Sequence, residues 1–186
     1  MDNDLNAHTP PQEGGLYLKL EDNQKAKLRL FGKVYIYQAN YQGKISIKYA
    51  WAAYNYDLEQ GQVVQLSITT FKKLKALNSE EEWGNPNTYD ITMKREGMGT
   101  DTQYHINPLP NKEPLTKEQE EAVKKVNIPE AIAKGNGNSE AVTLEEFNKT
   151  KTLPPLPSMG VVNQPVDDRE APLPDDDEVD LSEIPF

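Results

Sequence analysis

The sequence predicts a mainly β fold, a small barrel of about five strands with one short helix, and three observations carry that expectation. From Lys25 to Gln38 residues of two kinds alternate with a period of two, which assigns them to opposite faces of one long strand. Asn40-Tyr41-Gln42-Gly43 then supplies a hairpin turn, and the strand pattern resumes from Lys44 to about Tyr54. Further along, short β-rich runs are separated by glycine, asparagine and proline turns.

The elements follow in order. Residues 15 to 20 alternate and end at the turn signal Glu21-Asp22-Asn23, which predicts a first strand. The second strand, Lys25 to Gln38, contains Gly32, the residue type with which a small barrel turns a corner. A third strand runs from Lys44, and a turn at Leu58 to Gly61 leads to a fourth, Gln62 to Ile68. Thr69 or Thr70 caps a short helix, Phe71 to Leu77, with Phe71, Leu74 and Leu77 at helical spacing. Tyr89 to Glu96 and Thr102 to Pro108 form a terminal hairpin. Thr116 to Val126 reads as helical, opened by Thr116 and Gln119 in capping-box spacing, but it has few apolar residues and is expected to pack lightly.

Five or so strands with one short helix ahead of the final hairpin suggest a small, partly open barrel, and a five-stranded OB-fold barrel is the expected architecture. Another small barrel or sandwich is the competing architecture. The organisation expected is a disordered N-terminus over 1–14, the OB-fold domain over 15–111, a helical extension over 112–135, a flexible linker over 136–174 and an acidic tail over 175–186.

Charge is segregated along the chain. The formal net charge is -10, the mean hydropathy is -0.77 and 14 of the 186 residues are proline, so much of the length is expected to lie outside a packed core. From Lys25 to Lys75 nine Lys/Arg face two acids, whereas Gln164 to Phe186 holds one Arg and nine acids. The first block suits a polyanion and the second imitates one. There is no cysteine, which excludes disulfides and thiolate metal sites. No apolar run approaches a membrane span, so a cytoplasmic protein with no membrane partner is expected.

A single strand of nucleic acid offers phosphates and unstacked bases, so a sequence-tolerant binder needs cations interleaved with aromatic platforms. The odd face of the second strand carries both: Lys25, Lys27, Arg29 and Lys33 for phosphates, and Phe31, Tyr35 and Tyr37 for stacking. Tyr41 at the hairpin and Lys44 and Lys48 on the next strand extend the set. Trp51, Tyr54 and Tyr56 are open between core and DNA. Lys72, Lys73 and Lys75 read as a solvated helix face.

Catalysis finds little support, so no enzyme is expected. The two histidines, His8 and His105, are far apart, and the clustered acids lie in loops and tail where nothing fixes their geometry. No cofactor or metal is called for, since binding of a metal by Asp175 to Glu178 would be weak and nonspecific. Leu153-Pro154-Pro155-Leu156-Pro157 resembles a polyproline ligand but suits a spacer better.

The end of the sequence is its most informative stretch. Asp175, Asp176, Asp177, Glu178, Asp180 and Glu183 lead into Ile184-Pro185-Phe186, an apolar tip that a purely solubilising tail does not need. This ending resembles the C-terminal peptide of single-stranded DNA-binding proteins. Several strings in order extend the resemblance to one group of phage and bacterial members, related in arrangement to the helix-destabilising protein of T-even phages. They are Tyr17-Leu18-Lys19-Leu20 before Lys27-Leu28-Arg29-Leu30, Trp51-Ala52-Ala53-Tyr54-Asn55-Tyr56 before Gly61-Gln62-Val63-Val64, Trp83-Gly84-Asn85-Pro86 before Tyr89-Asp90-Ile91, and Arg95-Glu96-Gly97 before Asp101-Thr102-Gln103-Tyr104. The resemblance covers most of residues 15 to 110 and implies an OB-fold that coats unwound DNA, with a tail that recruits replication, recombination or repair enzymes. The absence of cysteine departs from the T-even type and rules out its structural zinc site.

The expected function is therefore single-stranded DNA binding, with the tail competing weakly for the basic groove through a flexible tether. The alternative is a DNA-mimic or adaptor that binds replication and repair enzymes without touching DNA. The oligomeric state is left open.

Overall fold

The computed structural model describes residues 15–156 other than Gln42. In chain order these form β1 (Lys25–Tyr41), β2 (Lys44–Asn55), β3 (Gln60–Leu66), α1 (Ile68–Ser79), β4 (Asp90–Glu96), β5 (Gln103–Pro108), α2 (Lys117–Lys124), α3 (Ile128–Gly135), β6 (Ala141–Thr143) and α4 (Leu144–Thr150). Every strand pairing is antiparallel, in the order β3-β2-β1-β4-β5, with β6 added to β1. Among the described residues β5 does not pair with β3, so the sheet is open.

The period-two pattern of β1 survives a break in register. Phe31 pairs with Ala52 and Val34 with Trp51, so Gly32 and Lys33 bulge out of the ladder. Gly32 sits at φ +76, a left-handed conformation that glycine adopts without steric cost. Its carbonyl accepts from Trp51 Nε1 at 3.2 Å and Asn87 Nδ2 at 3.0 Å, which pins the bulge from two sides. Two extra residues leave the parity unchanged, so even and odd positions keep their faces on either side of Gly32.

The even face is core. Ala26, Leu28, Leu30 and Ile36 pack with Tyr49, Trp51, Val64, Ile91 and Met93, and α1 closes over them through Leu74. Tyr49 and Phe71 stack at 3.9 Å between ring centroids, joining β2 to α1. Each fully buried Leu or Ile here is worth roughly 1.5–3 kcal/mol.

The odd face carries a second core. Tyr37, Ala50, Ala52, Tyr54 and Val63 are covered by Val123 of α2 and by Ile128, Ala131 and Ile132 of α3. The covering helices are well terminated: Thr116 and Gln119 complete a capping box on α2, and Asn127 caps α3 with proline in its first turn. Contact with the sheet is close enough that a Cβ on Gly61 of β3 would stand 2.4 Å from the Ala122 carbonyl oxygen. The expectation that this extension packs lightly is therefore corrected.

Three further expectations change. Residues 15 to 20 make no ladder; Leu18 N donates to Val63 O at 2.9 Å and Val63 N to Leu16 O at 2.8 Å, an isolated bridge against β3. The short helix consequently follows the third strand rather than the fourth, and Ser67 caps it, accepting from Thr70 N at 3.1 Å. The linker expected from residue 136 instead contains β6, paired with Tyr35–Tyr37, and α4, whose Phe147 is buried in the first core with Leu153 packed beside it. A capping box of Thr143 and Glu146 starts that helix. Among the described residues no helix is long and apolar enough to cross a membrane.

Candidate nucleic-acid interface

The ten residues singled out on β1 and β2 separate into three groups. Lys25 and Lys27 sit at the start of β1 and line a recess of about 300 Å3 with Asp57 and Thr92. Lys27 is already engaged: its ammonium lies 3.0 Å from Asp90 Oδ2 and 4.4 Å from the centroid of the Tyr56 ring.

Arg29 and Tyr37 are buried, at 2% and 1% exposure, which corrects their assignment to an open face. Arg29 donates through Nε to Asp90 Oδ1 at 2.7 Å, and its terminal nitrogens donate to the Glu113 and Asn111 carbonyls at 2.8 and 3.2 Å. The guanidinium thus fastens the segment leading into α2 onto the sheet. Asp90 also accepts from Tyr56 OH at 2.9 Å and Asn111 Nδ2 at 2.7 Å. Burial alone would push the Asp90 carboxyl up, but the hydrogen bonds from Lys27, Asn111 and Tyr56 and the charge of Arg29 hold it below the usual carboxylate range. Burial drives the Tyr56 hydroxyl up to about 12, helped by Asp90, so it stays a donor at neutral pH. Tyr37 lies under the helical cover and accepts from Gln65 Nε2 at 2.9 Å. Its hydroxyl is pushed up chiefly by desolvation. Trp51 and Tyr54 belong to the two cores and Tyr56 to the Asp90 cluster.

Phe31, Lys33, Tyr35, Tyr41, Lys44 and Lys48 remain at or near the surface. They fall on two stretches of one sheet face. At the bulge, Phe31, Lys33 and Tyr35 meet the α2–α3 turn around a recess of about 370 Å3. Lys124 of α2, which the sequence reading missed, stands 5.8 Å from the Phe31 ring centroid and lines the same recess. Lys33 pairs with Glu145 of α4 at 3.1 Å, both side chains being well exposed, and that carboxylate raises the lysine's affinity for its proton.

The second stretch is an arm. β3 reaches β2 only as far as Tyr49, and β6 covers β1 only over Tyr35–Tyr37, so among the described residues Gln38–Tyr41 and Lys44–Lys48 form a two-stranded ladder without a third strand, with Ala39 and Ile47 still packed against the two cores. Tyr41 lies opposite Lys44 and Tyr37 opposite Lys48, which puts Tyr41, Lys44 and Lys48 on the same face as Tyr35. Gly43, at φ +84, donates to Asn40 Oδ1 at 3.0 Å and closes the turn. Ile45 on the opposite face is 60% exposed.

From Lys25 to Tyr56 the chain contains six Lys/Arg and no acid. The ribbon that holds both stretches is therefore positive by composition, and Asp90 neutralises its covered part. Among the described residues no cluster of three or more His, Asp or Glu is arranged to hold a metal. The predicted tail residues Asp175 to Asp177, Glu178, Asp180, Glu183 and Ile184 to Phe186 lie outside the described residues. Comparison with family models, with curated proteins and with solved structures returned no match.

Proposed function

We propose that the chain binds single-stranded DNA along the β1–β2 ribbon, from the bulge at Gly32 to the arm at Tyr41. The observation that carries this reading is the acid-free, cationic ribbon whose accessible rings and lysines share one face: Phe31, Tyr35, Tyr41, Lys44 and Lys48. Rings supply stacking that any base satisfies, and lysines neutralise phosphates regardless of sequence. An OB-type architecture is part of the proposal. It is supported by the strand order β3-β2-β1-β4-β5 and by a helix between β3 and β4.

The acidic stretch ending in Ile184-Pro185-Phe186 is proposed, by resemblance, to recruit partner enzymes in replication, recombination or repair. Titration of labelled oligo-dT with the full chain across a salt series tests the central point. Binding whose affinity falls with salt supports it, and the absence of binding at low salt refutes it.

A further inference from the structure

We infer that the recess between the β1 bulge and the α2–α3 turn is a subsite for one unstacked nucleotide, an inference that rests on the single-strand reading above. Its lining is mixed: Phe31 and Tyr35 from the sheet and Val126 and Ile128 from the helical side offer apolar surface, and Lys33, Lys124 and Asn127 line it beside them. That combination matches a nucleotide, a flat ring joined to a phosphate. The volume of about 370 Å3 lies at the small end of ligand sites, room for one base and its sugar but not for a run of stacked bases.

Both lysines already hold a carboxylate. Glu145 lies 3.1 Å from Lys33 and Glu120 lies 2.8 Å from Lys124. These pairs are exposed, so a phosphate replaces either carboxylate at small cost. Beyond the recess the face is interrupted, because Tyr37 is sealed by the second core. The next accessible ring, Tyr41, is six residues along β1 from Tyr35, a distance of about 20 Å at strand rise. The strand therefore makes two separate aromatic contacts instead of one continuous stack.

Oligo-dT carrying 5-iodouracil, photo-crosslinked to the full chain and mapped by mass spectrometry, locates the bases, and titrations of variants weigh the contacts. Crosslinks are expected at Phe31 or Tyr35. Phe31→Ala, or Phe31→Leu where alanine unsettles the fold, weakens binding about 5- to 100-fold, the size of one lost stack. Lys124→Ala, on an exposed helix face, lowers the salt slope by about 0.7. Crosslinks confined to Tyr41, with affinity unchanged in the Phe31 and Lys124 variants, overturn the subsite and leave binding along the arm intact. Failure of the unaltered chain to bind at all overturns both.

Discussion

Arg29 and Tyr41 lie on the same strand, on the same side of the pleat, and their surroundings could hardly differ more. Arg29 is sealed at 2% exposure against Asp90 and two carbonyls of the segment before α2, whereas Tyr41 is 37% exposed on an arm that no third strand pairs among the described residues. Tyr37 of β1 and Lys44 of β2 share that face and differ in the same way, one buried and the other exposed. Alternation determines which residues share a face, but the elements that pack on that face determine which of them meet solvent. In this chain the segment before α2 seals Arg29 and α2 and α3 cover Tyr37, so these two members of a cationic and aromatic stripe became core while the arm stayed surface.

The widest separation between the two regions is in stability. Asp90→Ala leaves the Arg29 guanidinium buried without its counter-charge and is expected to cost about 3–5 kcal/mol in urea unfolding. The pH dependence has a definite sign. Because the Asp90 carboxyl is held below its unfolded value, its contribution is present above about pH 4 and is lost as pH falls through the folded pKa. Acid unfolding of Asp90→Asn should lack that component.

Gly61→Ala drives a methyl toward the Ala122 carbonyl, 2.4 Å away, and should lower stability by about 1–3 kcal/mol by lifting α2 from β3. Oligo-dT affinity is expected not to rise with it; a rise would mean that the helices are a removable cover and not core. On the arm the effects reverse. Tyr41→Ala should leave the melting temperature nearly unchanged and weaken oligo-dT binding about 5- to 100-fold. Tyr37→Phe removes only the contact with Gln65, about 1 kcal/mol of stability, and should leave DNA binding as it was.

The sequence made the strands legible where a local pattern sufficed. The β1 alternation, the Gly32 bulge and the turn at Gly43 were all readable from neighbours in the chain. The capping box at Thr116 was equally visible. Long-range choices were not. The pairing of Arg29 with Asp90 spans 61 positions, and nothing local to Arg29 distinguishes it from Lys33. The cover of Tyr37 was hidden because α2 is polar on most of its surface and docks mainly through Val123. A signal for α3 did exist in Asn127-Ile128-Pro129-Glu130, a capped, proline-started turn followed by Ala131 and Ile132 on one side. Strand-like residues at 15 to 20 failed to form a ladder strand because only one bridge of pairing with β3 is made. Lys124 escaped notice because its importance comes from its position beside Phe31, a neighbour remote in sequence.

The measurement closest to the central claim compares the salt slope of oligo-dT binding for the unaltered chain with that of a Lys44→Ala, Lys48→Ala double variant. If the arm carries the phosphate path, the unaltered chain binds and the slope falls by about 1.4 in the variant, about 0.7 for each lost contact, with the fold unchanged by circular dichroism. An identical slope in the two proteins would contradict the account.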